Sequence, residues 1–369
     1  MKFLLITLLA AAASSSFAPL HKAKERIDGS YIVMLKNGES LTAAVDTLRD
    51  SPFFSLLGGR IDIVYDNSLN AFAATLSEKA LNMIRRWDIV EYVEEDGIYR
   101  VSAVGSWGID RIDQRNLPLD NSYVAPRAGA GQTVYVVDTG IRHSHDDFGE
   151  RASYHWDYQS SNGGEDCNGH GTTCAGIVGG ATYGVAPSVS LKSVRVASCF
   201  GSSSTSNLIN GLNSIPGNGV VSMAIGGGGS SSIDNAVADA VIRGIVVVVP
   251  AGSSNANACN YSPSREPSAI TVGATDSSDE RSSFSNYGTC VDIFAPGSSI
   301  TSTWHTSDTA TITMSGTSLA CSHVAGAAAL LLVRGVSASN VPSTITSEAT
   351  SGVVSNPGTG SPNLLLYVQ

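Results

Sequence analysis

Three residue types that together can activate a serine lie far apart in this chain. Asp138 ends an apolar run, His170 opens an Ala/Gly-rich stretch, and Ser318 precedes a second such stretch. A serine hydroxyl is a weak nucleophile until a base takes its proton, and the base needs an anion that holds its tautomer. The order Asp, His, Ser is one of the known orders for this arrangement. The segments therefore predict covalent catalysis by a serine, with peptide-bond hydrolysis as the leading interpretation.

Each of these segments is ambiguous by itself. Asp138-Thr-Gly also resembles the signature of aspartic proteases, but those enzymes need two such carboxylates and this chain has one such segment. A serine after Gly-Thr is most often a helix cap. The combination and its order favour the serine nucleophile.

The elements that must position these residues begin near Trp107. Continuous apolar runs alternate there with Ala-rich helical stretches, and such runs are typical of parallel strands covered on both faces. The runs are residues 134–137, 190–196, 220–225, 245–249 and 269–272. The sequence therefore predicts an α/β domain that is doubly wound around a mostly parallel sheet.

Residues 28–97 have a different pattern. Alternating apolar residues predict strands over 31–35, 61–65, 71–76 and 89–93, and helical periodicity covers 41–48 and 77–86. The order is β-α-β-β-α-β, which predicts a small split-βαβ α+β domain ahead of the larger one.

The chain begins like an exported protein. Met1-Lys2 is followed by an apolar stretch over residues 3–13 and then by small residues, which predicts a secretory signal over residues 1–18. The alternative is a membrane anchor, but the apolar stretch is too short to span a bilayer. The formal net charge is -10 with no basic block, which argues against nucleic-acid and anionic-membrane partners. We expect an extracellular location.

Export makes disulfides possible. Spacing alone leaves the pairing open, because six cysteines allow fifteen fully paired schemes. Zinc is a poor alternative, since the chain has no Cys-x-x-Cys or closely spaced histidine pair of ligand type. The six are Cys167, Cys174, Cys199, Cys259, Cys290 and Cys321.

The three segments resemble the signatures of the subtilisin-like serine proteases. These are Val134-Tyr-Val-Val-Asp138-Thr-Gly-Ile, Asn168-Gly-His170-Gly-Thr and Ser315-Gly-Thr-Ser318-Leu-Ala. Further segments are similar to the proteinase K and aqualysin branch, namely Trp107-Gly-Ile-Asp-Arg-Ile-Asp-Gln, Asn260-Tyr-Ser-Pro, Phe284-Ser-Asn-Tyr-Gly and Ser361-Pro-Asn-Leu-Leu-Leu-Tyr. The resemblance runs from Trp107 to Tyr367, and residues 28–97 resemble the inhibitory propeptide of that family.

The resemblance implies a secreted, monomeric serine endopeptidase made as a zymogen that processes itself. Its parts would be a signal peptide over 1–18, an inhibitory propeptide over 24–102 and a catalytic domain over 103–369, with self-cleavage between residues 100 and 103. Ser318 would be the nucleophile, His170 the general base and then acid, and Asp138 its orienting anion. Polypeptides would be the substrates, and the propeptide would be an intramolecular inhibitor.

Among several departures from the family pattern, one bears directly on catalysis. The family carries an asparagine where this chain has Ser253, and that asparagine donates a hydrogen bond to the oxyanion. Losing this donor in a subtilisin costs about 10² to 10³ in turnover. A serine hydroxyl is also a donor, but its shorter reach leaves it too far away or dependent on a water. The alternative to a working protease is therefore a catalytically impaired relative that binds peptides or inhibitors.

The family's substrate cleft also maps onto this chain. Gly201 with Ser202 on one side, and the segment Ala224, Ile225 and Gly226 on the other, would bind a peptide as an added β-strand. Such backbone pairing tolerates many sequences. Ala251 and Gly252 would frame the pocket for the residue before the cut, which implies broad specificity with an apolar or aromatic preference.

The resemblance also implies two disulfides and structural calcium, with no catalytic cofactor. The pairs would be Cys167–Cys199 and Cys259–Cys290, which leaves Cys174 and Cys321 free beside the site or simply buried as small apolar residues. Oxygen ligands on loops suit calcium, and for each acidic group the alternative is a solvated turn. One set of ligands would be Asp110, Asp113, Gln114 and Asp120, and the other Asp292 with the carbonyls of Pro267 and Ala269.

Overall fold

The computed structural model describes residues 17–23, 26–65, 69–100, 107–125, 127–160 and 163–368. They form a small N-terminal domain that lies on a larger α/β domain. None of the helices in these ranges is long and apolar enough to cross a membrane.

The N-terminal domain is a sheet with helices on one face, as the β-α-β-β-α-β pattern predicts. The strand order is β1-β5-β2-β4-β3, and a separate core of side chains lies between the sheet and its helices. Its elements are β1 (Leu20–His21), β2 (Arg26–Leu35), α1 (Leu41–Arg49), α2 (Pro52–Leu56), β3 (Gly59–Val64), β4 (Ala71–Leu76), α3 (Glu78–Ile84) and β5 (Val90–Arg100).

Serine side chains begin all three of these helices. Ser40, Ser51 and Ser77 each accept a hydrogen bond from a backbone N–H in the first turn, which is the usual way to satisfy the free donors of a helix start. The sequence pattern missed β1, which pairs parallel to β5 and is only two residues long. It also missed α2, a single helical turn.

The larger domain has a nine-stranded sheet in the order β18-β19-β15-β14-β12-β10-β6-β8-β7. All of its strand pairs are parallel except β18 with β19. The elements are α4 (Gly108–Ile112), β6 (Thr133–Asp138), β7 (Ala152–Asp157), α5 (His170–Gly179), β8 (Ser190–Arg195), β9 (Ser202–Ser204), α6 (Thr205–Asn213), β10 (Val220–Ser222), β11 (Gly227–Gly228), α7 (Ser231–Ile242), β12 (Val246–Pro250), β13 (Tyr261–Ser262), β14 (Ile270–Thr275), β15 (Ile293–Pro296), β16 (Ile300–Thr303), β17 (Thr311–Met314), α8 (Thr317–Val333), α9 (Val341–Glu348), β18 (Thr350–Ser351) and β19 (Leu364–Leu365).

Helices cover both faces of this sheet, which confirms the doubly wound architecture. Val134 and Val136 of β6 belong to the core under α5 and α8. Tyr135 and Val137 belong to the core under α6 and α7. Alternate residues of one strand thus face opposite layers, and this is why the strands read as continuous apolar runs. The run over 220–225 is shorter in the structure, because β10 ends at Ser222.

The two domains share an apolar interface. The free face of the N-terminal sheet contributes Ile32, Met34 and Tyr92 to the same core as Leu208 of α6 and Ile233 of α7. The N-terminal domain therefore rests on these two helices, with the end of β5 directed along the surface of the larger domain.

Candidate active site

The predicted catalytic residues each stand at the end of a regular element. Asp138 is the last residue of β6, His170 is the first residue of α5, and Ser318 is the second residue of α8. The two helices pack against each other on one face of the sheet. Ligand sites of open α/β sheets lie at the carboxyl ends of the strands, and Asp138 lies at that edge.

Asp138 and His170 are in direct contact. The imidazole Nδ1 lies 2.8 Å from Oδ1 and 2.9 Å from Oδ2 of Asp138, and both side chains are buried. Burial, the largest single influence, disfavours the charged imidazolium, but the charge and hydrogen bond of Asp138 together with the contact of Cys174 outweigh it and hold the pKa of His170 well above its usual range. A proton on Nδ1 fixes the tautomer in which Nε2 carries the lone pair that can act as a base.

A carboxylate that the sequence reasoning missed organises the start of α5. Asp166 accepts from the Thr139 hydroxyl at 2.9 Å and from the N–H groups of Gly169 and Thr172 at 2.9 Å each. It thereby ties the residue after Asp138 to the helix that begins with His170. The signal available in the sequence was an aspartate four residues ahead of the histidine in a loop that needs capping.

The Ser318 side chain is turned towards the segment that follows β10. Its hydroxyl donates to the carbonyl oxygen of Ala224 at 2.9 Å, while Cys174 lies beside His170 with Sγ–N distances of 3.7 and 3.9 Å. The N–H of Ser318 is among the first four of α8, which have no carbonyl partner inside the helix. It belongs to the positive end of the helix dipole, where anionic charge is stabilised.

Ser253 lies next to the start of α8, where the resemblance places it. Its hydroxyl oxygen accepts from the N–H of Thr317 at 3.2 Å and lies 3.2 Å from the Thr317 hydroxyl. Gly316, the residue before the helix, has no side chain to do this. The structure therefore gives Ser253 a helix-capping contact that the sequence did not predict, and its role as an oxyanion donor stays a prediction.

A strand edge is present where the resemblance places the substrate. The backbone of β5 pairs antiparallel with β9, with Ile98 opposite Ser204, Tyr99 opposite Ser203 and Arg100 opposite Ser202. The end of the N-terminal domain thus already occupies this edge as an added strand. The expected path of the tail over residues 101–103 lies outside the described residues.

The predicted second wall of the cleft is the segment over residues 224–226. Ala224 and Ile225 follow the end of β10 and are buried, with the Ile225 side chain in the core beneath α6 and α7. Only Gly226 of this segment is partly exposed. Residues 224–226 thus continue beyond the last paired residue of β10, and their role as a strand that binds substrate stays a prediction.

A buried asparagine holds the backbone around Ala251 and Gly252, the residues predicted to frame the substrate pocket. Asn286 donates from Nδ2 to the carbonyl of Ala251 at 2.8 Å, and its Oδ1 accepts from the N–H of Ser254 at 3.0 Å. Gly252 has φ of +100°, and a Cβ there would lie 2.4 Å from Asn286 Nδ2. Only glycine therefore fits between Ala251 and Ser253. Sequence reasoning missed Asn286, which is distant in the chain.

Two carboxylates of β5 cap helices of the larger domain. Glu94 accepts from the Ser230 hydroxyl and, at 3.0 and 2.8 Å, from the N–H and hydroxyl of Ser232 at the start of α7. Asp96 accepts from the N–H and hydroxyl of Ser206 in α6 at 3.1 and 2.8 Å. Both carboxylates are buried. The available signal was an acidic run at a strand end together with two serine-rich helix starts.

The first calcium candidate is a loop of carboxylates. Asp110 Oδ2 accepts from the N–H of Asn121 at 3.0 Å, whereas its buried Oδ1 has no hydrogen-bond partner. Burial, with the charges of Asp120 and Asp110, raises the pKa of Asp113. Gln114 Oε1 accepts from the N–H of Asp120 at 3.2 Å. An orphaned oxygen among mutually repelling anions fits a hard cation.

The second calcium candidate lies at a surface cavity of about 430 Å³. Asp292, Pro267 and Ala269 all line this cavity, and their role as calcium ligands stays a prediction. Asp292 accepts from the N–H of Thr271 at 2.8 Å, and burial raises the pKa of its carboxyl. One oxygen of Asp292 is thereby committed to the backbone.

The described residues contain one compact group of three possible His, Cys, Asp or Glu ligands. These are Asp138, His170 and Cys174, whose ligand atoms lie within 4.8 Å of one another. The carboxylates of Asp110, Asp113 and Asp120 are spread more widely than this.

Both implied disulfides are formed. Cys167 is bonded to Cys199 and Cys259 to Cys290, with S–S lengths of 2.06 and 2.13 Å. Cys174 and Cys321 are free and buried. Burial raises the pKa of both thiols, so Cys174 stays uncharged beside His170.

Comparison with known proteins shows which family the chain belongs to. Residues 129–359 match the model of the subtilase family, and residues 30–102 match that of the peptidase inhibitor I9 family. The chain belongs to the subtilase family. It is a serine endopeptidase of this class that carries an I9 inhibitor domain ahead of the catalytic domain.

Individual relatives cover nearly the whole chain. It is similar to an extracellular serine proteinase of Thermus sp. (strain Rt41A), with 47% identity over 96% of this chain and 94% of the relative. It is also similar to proteinase R of Parengyodontium album, with 44% identity over 95% and 92%. The crystal structure of a cold-adapted subtilisin-like serine proteinase matches with a TM-score of 0.68 and 47% identity, over 72% of this chain and 99% of that one.

Proposed function

We propose that the protein is a secreted endopeptidase that cleaves polypeptides through Asp138, His170 and Ser318. The observation that carries this proposal is the contact between the buried Asp138 carboxylate and His170 Nδ1, 2.8 Å apart, on the helix that packs against α8. Ser318 stands at the start of α8. A base that is oriented by an anion, next to a helix start carrying a hydroxyl, is the arrangement that activates a serine.

The reaction follows from the roles of these groups. Rotation about χ1 turns the Ser318 hydroxyl from the Ala224 carbonyl towards His170 Nε2, which takes its proton as Oγ attacks the peptide carbonyl. Asp138 stabilises the imidazolium. His170 then gives the proton to the leaving amine, and the resulting acyl-enzyme is hydrolysed by water in the reverse sequence. The N–H of Ser318 at the helix start stabilises the developing oxyanion.

We assign the substrate-binding cleft to the edge of β9. A substrate would pair with Ser202 to Ser204 as residues 98–100 do, with Gly201 turning the chain at the end of β9 and Gly226 opposite. The pocket beside Ala251 and Gly252 has small uncharged walls, which favours apolar or aromatic side chains. Backbone pairing makes the remaining specificity broad.

The N-terminal domain would be the enzyme's own inhibitor. Its last described strand lies on the substrate edge, while Glu94 and Asp96 fix it to α7 and α6. We expect self-cleavage between residues 100 and 103, followed by release of the domain. We place the end of the secretory signal ahead of Ala18 rather than after it, because Ala18 is buried in the N-terminal domain and its N–H donates to the carbonyl of Arg85 at 2.6 Å.

Structural calcium would bind at two loops. Asp110, Asp113, Gln114 and Asp120 would hold one ion, and Asp292 with the carbonyls of Pro267 and Ala269 a second. Calcium would supply charge neutralisation and cross-link these loops. The bond-breaking steps would use side chains and backbone of this chain together with water, and no catalytic cofactor.

The alternative is a relative with impaired turnover that binds peptides or inhibitors. The observation in its favour is that Ser253 Oγ accepts a hydrogen bond from Thr317 N–H at 3.2 Å. This contact holds the short side chain against α8. A serine hydroxyl so held is a weaker oxyanion donor than the family's asparagine.

A fluorophosphonate probe tests the proposal directly, since only an activated serine reacts rapidly. We expect labelling of the mature protein, loss of labelling in Ser318→Ala, and full labelling in Ser343→Ala, a matched change of an exposed serine in α9. The masses of the expressed chains give a second readout, because Ser318→Ala should stay full length. Equal labelling of wild type and Ser318→Ala would rule out the assigned nucleophile, and full-length chains in both cases would rule out self-processing.

A further inference from the structure

One aromatic residue of the cleft rim has no role in the packing of the protein. Phe200 is 93% exposed, the most exposed of the large apolar side chains described. It lies between Cys199 and Gly201, immediately before the strand edge on which the tail pairs. A single exposed apolar residue is common on protein surfaces, so its environment must decide whether it has a use.

The loop that carries Phe200 is held at both ends. The N–H of Ser198 donates to the carbonyl of Ser202 at 2.8 Å, and the N–H of Gly201 donates to the carbonyl of Ser198 at 2.9 Å. The N–H of Phe200 itself lies 3.3 Å from Ser198 Oγ, and Cys199 is bonded to Cys167. Gly201 has φ of +74°, which closes the turn. A rigid loop therefore presents a ring that packs on nothing in the protein.

The same loop is tied to the start of α5. Asn168 Nδ2 donates to the carbonyl of Cys199 at 3.0 Å, and Asn168 Oδ1 accepts from the N–H of His170 at 3.3 Å. One asparagine side chain thus bridges the loop and the residue assigned as the catalytic base. The Phe200 loop lies between the substrate edge and His170.

The strand register gives the direction of a bound peptide. As the tail advances from Ile98 to Arg100, its partners run backwards from Ser204 to Ser202. A substrate in the same register therefore moves towards the Phe200 loop as it approaches the bond to be cut. Neighbouring side chains of an extended chain point to opposite faces. If the residue before the cut points into the pocket at Ala251, the one before that points to the opposite face, and we place the Phe200 loop on that side.

We propose that Phe200 is a specificity-determining residue that binds the side chain of the second residue before the scissile bond. An apolar side chain at that substrate position covers the exposed ring, and both surfaces lose water. The loop is already rigid, so little conformational entropy is lost on binding. This inference rests on the proposed function, because it uses the assigned cleft and cutting point.

The test compares two peptide amides that are identical except for Leu or Gly at the second residue before the cut. For the wild-type enzyme we expect a higher kcat/KM on the Leu peptide. In Phe200→Ser that preference should fall about tenfold, mainly through KM, which corresponds to about 1.4 kcal/mol. The Gly peptide should be cleaved as before, and Phe200→Leu should retain most of the preference.

Ile242→Ser is the matched control. Ile242 is 82% exposed at the last residue of α7, so the change removes a similar exposed apolar side chain away from the cleft, and we expect no change in preference. An unchanged preference in Phe200→Ser, or an equal loss on both peptides, would overturn the inference. If the wild-type enzyme cleaves neither peptide, the proposed function itself fails and the inference falls with it, whatever residue stands at position 200.

Discussion

Replacing Ser253 by asparagine should increase turnover. The serine hydroxyl lies 3.2 Å from both the N–H and the hydroxyl of Thr317, so its position is set by the start of α8. The longer asparagine side chain reaches further into the cleft and carries N–H donors. An oxyanion donor of this kind is worth about 10² to 10³ in turnover in a subtilisin. We expect Ser253→Asn to raise kcat by about 10-fold to 10²-fold, with little change in KM.

Ser253→Ala separates the two roles of the hydroxyl. Loss of a helix cap costs about 1 kcal/mol, which corresponds to a fall in Tm of about 2 to 4 °C for a domain of this size. If capping is the main role, kcat should fall less than about threefold while Tm falls by this amount. The assay is steady-state hydrolysis of a peptide amide together with calorimetry. A kcat about 10² lower at unchanged Tm would refute this reasoning and make Ser253 the oxyanion donor.

Three further predictions follow from the same structure. Asp138 raises the pKa of His170, and the imidazole must be neutral to accept a proton. We therefore expect kcat/KM to rise with pH through a midpoint above the usual histidine value of about 6.5. A midpoint below that value would contradict this prediction. Glu94→Ala removes the cap that the N-terminal domain places on α7, so this domain should dissociate faster and the lag before proteolytic activity appears should shorten. Glu91→Ala changes an exposed residue of the same strand and should leave the lag unchanged. Excess chelator should lower the Tm of the wild type by about 5 to 10 °C and that of Asp110→Asn by less, and equal shifts in both would exclude calcium at that loop.

Much of the fold was predictable because the signals are local. Continuous apolar runs identified β6 and β12 to within a residue or two, since a strand covered on both faces is apolar nearly throughout. The run over 220–225 extends past the end of β10 at Ser222 for the same reason. Ile225 is as apolar as its neighbours in β10, and periodicity cannot tell a side chain buried in a strand from one buried beyond the strand's end.

The site was predictable in residue type and less so in its supports. Asp138, His170 and Ser318 stand at element ends whose local signals are strong. Asp166 and Asn286 act through partners that are near only after folding, and neither has a distinctive neighbourhood in the sequence. Caps across a domain interface, such as that of Glu94 on Ser232, depend on two segments that lie far apart in the chain.

The way the N-terminal domain is attached separates processing from activation. Three backbone pairs hold residues 98–100 on the substrate edge, and a cut after them breaks the covalent link but removes none of these contacts. The buried carboxylates of Glu94 and Asp96, with the apolar sheet face on α6 and α7, hold the rest of the domain in place. If the proposed self-cleavage occurs, the cleaved inhibitor would stay bound until this interface is lost, so activity would be governed by the stability of the N-terminal domain and its interface rather than by the rate of the first cut.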